Sequence, residues 1–171
     1  MSHTWEYSVP PTGLPVWRQM RDAQMDASGI LRHFHVVTPP VPIEEIALKM
    51  GAIVEPAFLS YPGEIDFIGP EKQPRIRYNV TDAEVRQRFT IAHELAHLML
   101  HQLTEQHRDT SFVGNPQEVQ ANAFAAALLM PFWLLEPVVA QMGPDANSLA
   151  RLFKVSTRAM EIRLGAMAGH R

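Results

Sequence analysis

The chain has 171 residues, of which 46% are hydrophobic and 19% are charged, and its formal net charge is -3. This composition is typical of one globular domain, and it shows no basic surplus that would indicate a nucleic acid or an anionic membrane as partner. The absence of cysteine excludes disulfides, thiolate zinc sites and a cysteine nucleophile. Without a basic leader followed by an apolar stretch, and without an apolar run of about 18 residues, we expect a cytoplasmic protein with no membrane contact.

The first fifty residues predict an arm followed by helices. Residues 1–15 are rich in proline and predict an irregular arm, and we assign residues 16–171 to a single domain. Apolar residues recur at helical spacing from Val16 to His35 and predict one helix, which two consecutive prolines terminate. A proline then opens a short helix over residues 43–50, which ends at Gly51.

Three short segments with β character follow, separated by turn clusters that contain proline and glycine. They are Ala52–Val54, Glu64–Ile68 and Arg75–Tyr78. We predict that they form a small antiparallel sheet with a helix on one face, because strands this short are not stable by themselves.

The middle of the chain predicts two long helices joined by a loop. Thr81 as N-cap and Glu84 form a capping-box pattern, which predicts a helix that runs to about Gln102. The polar stretch Thr104–Asn115 predicts a loop. The following helix, over residues 116–130, is apolar almost all round and is therefore expected inside the fold.

The C-terminal part predicts further short helices, with a break near Pro137. Residues 149–164 have the pattern of a helical hairpin in which Ser156 is the N-cap of the second helix. Arg158 and Arg163 are expected to point outward. Two interpretations remain, a DNA-reading element and a hairpin packed on the domain. The short length and mixed charge favour the packed hairpin, so we do not expect a nucleic acid partner.

The motif His93-Glu94-Leu95-Ala96-His97 falls inside the first long helix. Positions i and i+4 share one helical face, so two imidazoles there can bind one zinc ion. Glu94 lies one step round the helix, where its carboxylate can take a proton from a water on the metal and pass it to the leaving amine. The alternative is a buried helix whose histidines have other hydrogen bonds, but burying two imidazoles and a carboxylate without a purpose is unfavourable.

A catalytic zinc takes three protein ligands and keeps one open position. We expect Glu118 as the third ligand, because two helices packed antiparallel across the loop return its helical turn to His93 and His97. Glu105, in the polar loop just after the first helix, is the rival candidate.

Further residues are candidates around the metal. Asn122 can accept a hydrogen bond from His93, or it can simply pack between helices. His101 and Tyr78 are candidates for holding the oxyanion, and His101 is equally consistent with a helix-end histidine that the dipole favours. The other histidines, His107 among them, have no recognisable ligand partner and are interpreted as surface or incidental residues.

Two runs of sequence resemble the ImmA/IrrE family of metallo-endopeptidases. They are RQRFTIAHELAHLMLH, from Arg86 to His101, and EVQANAFAAALLMP, from Glu118 to Pro131. The likeness covers roughly residues 16–165, a range set by the order of the motifs. One departure is Ala96, where many members have glycine, and this change is sterically mild.

The resemblance implies that zinc is held by His93, His97 and Glu118 and that Glu94 is catalytic. It also implies a regulatory protease whose substrate is a helix-turn-helix repressor or an antitoxin encoded nearby. The fold is expected to be α+β, a zincin-like helical body with a small antiparallel sheet and a C-terminal helical hairpin. The rival class is a metal-containing module that only holds its partner, as a toxin component or transcriptional regulator, since the motif does not separate holding from cutting.

Overall fold

The computed structural model describes residues 15–101, 103, 106–109 and 115–169, and within them the chain forms eight helices and four strands. The α+β class is therefore confirmed. Glu105 and nearly all of the predicted arm lie outside the described residues. The elements are α1 (Val16–Asp22), α2 (Ala27–His33), α3 (Ile43–Met50), β1 (Ile53–Ala57), β2 (Gly63–Ile68), β3 (Gln73–Asn79), α4 (Glu84–Leu100), β4 (His107–Asp109), α5 (Pro116–Leu129), α6 (Phe132–Met142), α7 (Ala146–Phe153) and α8 (Thr157–Ala168).

The helix predicted over residues 16–35 is two helices, α1 and α2. Gln24 adopts a left-handed backbone with φ 54°, which a continuing helix does not allow. Asp26 then caps α2, and its side chain accepts a hydrogen bond from the Gly29 backbone N–H at 2.7 Å. Each of the two helices buries apolar residues in the core, so the apolar pattern continues across the break.

The four strands form one sheet in the order β1-β3-β2-β4, and the sheet is mixed. β2 pairs antiparallel with β3 and with β4, as a hairpin and its neighbour do, whereas β1 pairs parallel with β3. The prediction of a wholly antiparallel sheet is therefore wrong for β1, which adds to the edge of β3 that the β2–β3 hairpin leaves available. β4 lies in the stretch that was predicted to be a loop. The strand was not predicted because three residues give too little alternation of apolar and polar side chains to indicate one.

The helix α4 begins at Glu84 with Ala83 at the N-cap position, and not directly after Thr81 as predicted, so the predicted capping box does not form. Thr81 instead donates its hydroxyl to Asn79 Oδ1 at 2.9 Å, and Glu84 pairs with Lys154 at 2.9 Å. Arg88 is buried further along the same helix, and burial lowers the pKa of its guanidinium. This side chain donates to the carbonyl oxygens of Val41 and Lys154 and so ties α4 to two distant segments.

The C-terminal helices follow the prediction except at two residues. Ser156 caps α8 by accepting from the Ala159 N–H. Pro137 lies inside α6 instead of ending it, because its position is exposed and the carbonyl that it leaves without a donor can bind water. Arg163 does not point outward, since it donates to the Met130 carbonyl at 2.8 Å and lies over the Phe132 ring at 3.8 Å.

Among the described residues, no single helix has both the length and the hydropathy of a membrane-spanning segment. The pair α5 and α6, bent by 53°, meets those two criteria only when it is taken together.

Candidate metal centre

Residues 90–99 of α4 are all buried, polar residues included. His93 and Glu94 are fully buried and His97 is 1% exposed. The helix packs against α5 on one side and against β2 and β3 on the other. The motif therefore lies between a helix and a sheet, and its side chains project into a space that both elements enclose.

Local sequence places the carboxylate of α5 at the same point. Pro116 opens α5 at a position where its missing N–H is not needed, and Asn115 caps the helix by accepting from the Glu118 N–H at 3.0 Å. Glu118 is thus in the first turn, and its side chain is directed toward the two histidines of α4.

Three side-chain groups converge there. His93 Nε2 lies 3.0 Å from Glu118 Oε2, and His97 Nε2 lies 3.0 Å from His93 Nε2 and 3.2 Å from Glu118 Oε1. In the described residues, His93, His97 and Glu118 form a group whose ligand atoms all lie within 4.8 Å of one another. This group could hold a metal ion.

The donor set fits a divalent cation. A tetrahedral ion with bonds of about 2.0–2.1 Å requires its ligand atoms to be about 3.3 Å apart, close to the separations found here. Two imidazole nitrogens and one carboxylate are also the ligands that catalytic zinc takes when one coordination position stays open. In the described part of the chain, the basic side chains with a nitrogen within 4 Å of the Glu118 carboxylate are all histidines. This arrangement is consistent with a cation at the centre of the group.

Glu94 lies close to strand β2 at Gly63, where the missing side chain makes room for Thr90 of α4. A Cβ at Gly63 would lie 2.3 Å from Thr90 Cγ2, 3.0 Å from the Arg77 carbonyl oxygen and 3.7 Å from Glu94 Oε1. Only glycine therefore allows β2 to approach α4 at the turn that carries the motif. Gly63 belongs to one of the turn clusters predicted from the sequence, and its role beside α4 was not predicted. A signal existed, since it directly precedes the alternating strand Glu64–Ile68.

The ring of His97 has a second set of contacts. Its Nδ1 lies 2.9 Å from His101 Nδ1, and His101 Nε2 lies 3.2 Å from Gln120 Oε1 on α5. His101 was a candidate for the oxyanion or for a simple helix end. The structure places it directly beside a ligand of the candidate metal centre, and Gln120 was not singled out by the sequence.

His107 also belongs to the surroundings of the centre, although the sequence suggested a surface or incidental residue. Its ring lies 4.1 Å from that of His97, centroid to centroid, and its Nε2 lies 3.6 Å from Glu118 Oε1. The reason is β4, which pairs with β2 and directs alternate side chains inward and outward. The sequence could not place His107 because the strand itself was not predicted.

Asn122 and Tyr78 lie near the site on different elements. Asn122 lines a cavity of about 560 Å³ between α4, α5 and α8, together with Phe89, whose ring is 6.1 Å from that of His93. Tyr78, on β3, pairs in register with Gly63. The pKa of its hydroxyl is raised, mainly by burial and to a smaller extent by the negative charge of Glu44. The roles of Asn122 as acceptor for His93 and of Tyr78 at the oxyanion stay predictions.

On the outer face of the sheet, a carboxylate holds β4 in place. Glu64 is 1% exposed and accepts hydrogen bonds from the Tyr61 hydroxyl at 2.7 Å and from Gln106 Nε2 at 2.8 Å. It also pairs with Arg77 and with Arg108, the latter at 3.3 Å. Residues on both sides of His107 are thus attached to Glu64, which keeps the intervening imidazole on the inner face.

Comparisons with known proteins agree with this arrangement. Residues 53–165 match the family model of the IrrE N-terminal-like domain, Peptidase_M78, a range that contains the sheet, the motif and Glu118. The radiation response metalloprotease IrrE of Deinococcus deserti is 37% identical over 73 residues, which cover 39% of this chain and 26% of that protein. The chain thus matches about a quarter of the length of that relative.

A solved structure supports the fold alone. A Mycobacterium tuberculosis transcriptional regulator superimposes with a TM-score of 0.57 at 20% identity, over 88% of this chain and 52% of that one. The family model covers more than half of this chain, and it includes the residues that converge in the structure. The chain therefore belongs to the ImmA/IrrE family of metallopeptidases.

Proposed function

We propose that this chain is a zinc-dependent endopeptidase that acts in the cytoplasm on one or a few proteins, the expected substrate being a helix-turn-helix repressor or antitoxin encoded nearby. The observation that carries the proposal is the convergence of His93 Nε2, His97 Nε2 and the Glu118 carboxylate in one buried site, with Glu94 beside His93 on the same helix. Membership of a metallopeptidase family supports hydrolysis, and the family resemblance supplies the substrate class.

The chemistry divides between the metal and the chain. A zinc ion held by His93, His97 and Glu118 would supply a Lewis acid that polarises the scissile carbonyl and acidifies water. Glu94 then acts as the general base, accepting a proton from the attacking water and passing it to the leaving amine. Its burial between α4 and β2 holds the carboxylate in one place, so little orientation is lost when the reaction begins.

The sheet offers a way for a peptide to reach the site. Among the strands of the described residues, β4 is the last in the order β1-β3-β2-β4, and its residue His107 borders the ligands. Extended peptides can bind to such an edge as an additional strand. Main-chain hydrogen bonds then hold the backbone of the peptide in a fixed position relative to the sheet. An extended segment of a protein substrate fits this geometry.

The test compares the wild-type chain with Glu94→Gln in cells that contain the natural partners. Protein N-termini are labelled and quantified by mass spectrometry, and we expect new N-termini inside a helix-turn-helix protein only with the wild-type chain. Glu84→Gln is the matched control, because Glu84 lies on the same helix but pairs with Lys154 far from the ligands. This control is expected to produce the same cut as the wild type.

A second step separates cutting from holding. The Glu94→Gln protein, which keeps all three ligands, is used to capture its partner, and the purified partner is then incubated with wild-type protein and zinc. Cleavage that stops on addition of a chelator supports the peptidase. Stable capture without cleavage by either version, with identical N-termini in both cell samples, would refute hydrolysis and support a module that holds its partner.

A further inference from the structure

His101 and Gln120 form a chain of contacts that starts at a metal ligand and ends at the surface of the protein. His97 Nδ1 lies 2.9 Å from His101 Nδ1, and His101 Nε2 lies 3.2 Å from Gln120 Oε1. His97 is buried, His101 is partly buried and Gln120 is exposed. Gln120 is two residues after Glu118 on α5, so the contacts connect the same two helices that the three candidate ligands connect.

We propose that His101 and Gln120 are positioning residues that fix the tautomer and the ring orientation of His97, a role that rests on the metal centre of the proposed function. A ligating imidazole must present a lone pair on one nitrogen, and its other nitrogen then carries the hydrogen. In this structure His97 Nε2 is the nitrogen that faces His93 and Glu118. The hydrogen of neutral His97 therefore belongs on Nδ1.

The order of the contacts enforces this assignment. An N–H on His97 Nδ1 donates to His101 Nδ1, which is then an acceptor and carries no hydrogen. Neutral His101 has its hydrogen on Nε2, and it donates this hydrogen to Gln120 Oε1. The carbonyl oxygen of Gln120 cannot donate, so it sets the direction of both hydrogen bonds. The reverse direction would put a hydrogen on His97 Nε2 and block the lone pair that faces the other ligands.

The expected consequence is a higher affinity for zinc. Hydrogen bonds to the second nitrogen of a metal-binding histidine typically change metal affinity by about 10–100-fold. Removing the acceptor leaves His97 to distribute between two tautomers and lets its ring rotate, and both effects must be reversed when the metal binds.

The first experiment measures zinc affinity by competition with a chromophoric chelator. We expect His101→Leu to bind zinc about 10–100-fold more weakly than wild type. His101→Asn retains an acceptor near the position of Nδ1 and should recover most of that loss. Gln120→Leu should weaken binding in the same direction but less, whereas Gln120→Glu, which keeps the acceptor oxygen, should not. Gln117→Leu is the matched control, an exposed glutamine in the same helical turn, and should bind like wild type.

The second experiment observes the tautomer without any metal. Long-range proton–nitrogen NMR of histidine-labelled protein, at a pH above the titration range of imidazole, should show His97 with its hydrogen on Nδ1 in the wild type. A mixture of tautomers is expected in His101→Leu and in Gln120→Leu. An unchanged tautomer together with unchanged zinc affinity in both variants would overturn the proposal. If the wild-type chain failed to bind zinc, the proposed metal centre would fall, but the spectra of the metal-free protein would still decide the positioning role.

Discussion

Two clusters of ionisable side chains lie on opposite faces of the same sheet, and they are built in opposite ways. On the outer face, Glu64 and Asp66 lie opposite arginines on β3 in the register of the strands, and each carboxylate has a guanidinium partner. On the inner face, the Glu118 carboxylate meets imidazoles. Opposite charges that neutralise each other hold strands together, whereas convergent lone pairs leave a place for a cation.

Removal of the carboxylate from the inner cluster is expected to have the largest effect. Zinc at 1000 times its Kd should raise the unfolding free energy of the wild type by about 4 kcal/mol, and Glu118→Ala should abolish this gain. Chemical unfolding with and without zinc measures the effect. Asp66→Asn, in the outer cluster, should keep the full gain, and a zinc-dependent stabilisation that survived Glu118→Ala would contradict the assigned ligand set.

The outer cluster, in contrast, should contribute to the stability of the protein without any metal. Glu64→Gln removes the buried partner of Arg77 and Arg108, and we expect a loss of about 2–3 kcal/mol in unfolding free energy. The loss should stay below that of a fully buried pair, because Arg77 and Arg108 are 30% and 58% exposed. Urea unfolding of the metal-free protein measures it. A stability equal to wild type would show that the ion pairs do not hold β4.

The contact between the sheet and the motif can be tested at Gly63. Gly63→Ala places a Cβ 2.3 Å from Thr90 Cγ2, so α4 or β2 must shift, and we expect a loss of about 2 kcal/mol. The shift also displaces Glu94, so peptidase activity should fall by more than the loss of folded protein explains. Gly165→Ala is the control, since a Cβ there meets no atom within 4 Å and an exposed helical alanine should stabilise by about 0.5–1 kcal/mol.

The smallest effect concerns pH. The hydrogen bonds from Arg75 lower the pKa of Asp66 below its ordinary value, although burial opposes the shift. The ionised form is therefore favoured by folding, so its contribution is complete above an unfolded-state pKa of about 3.9 and is lost as the pH falls through the lower folded-state pKa. Asp66→Asn should cost about 1 kcal/mol at neutral pH and progressively less in strong acid. Urea titrations across this range measure the difference, and a constant difference would contradict the linkage.

The two clusters also differ in how far the sequence revealed them. The spacing of His93, Glu94 and His97 indicated a metal site because the three residues lie within a turn of one helix, where spacing along the chain gives direction in space. Glu118 was expected from the antiparallel packing of two helices across the predicted loop Thr104–Asn115. The outer cluster carried a weaker signal, since Glu64 and Asp66 alternate as a strand requires, but their partners depend on the register with β3.

Residues close together in the sequence thus determined where several helices begin and end. Gly51 ends α3 in a left-handed conformation, Pro116 opens α5 and Ser156 caps α8, all as the sequence predicted. These features depend on hydrogen bonds and backbone angles within a few residues, so neighbouring sequence is sufficient to predict them.

Contacts between distant segments decided the rest. The parallel pairing of β1, the third strand pair that brings His107 to the centre, the close approach at Gly63 and the inward turn of Arg163 all depend on which surfaces meet in the folded chain. The sequence by itself indicated the chemistry of the candidate metal centre, because two of its three candidate ligands and Glu94 follow the spacing of one helix. Only the tertiary structure decided what surrounds that centre, because pairing and packing between segments far apart in the chain are set by the free energy of the whole fold.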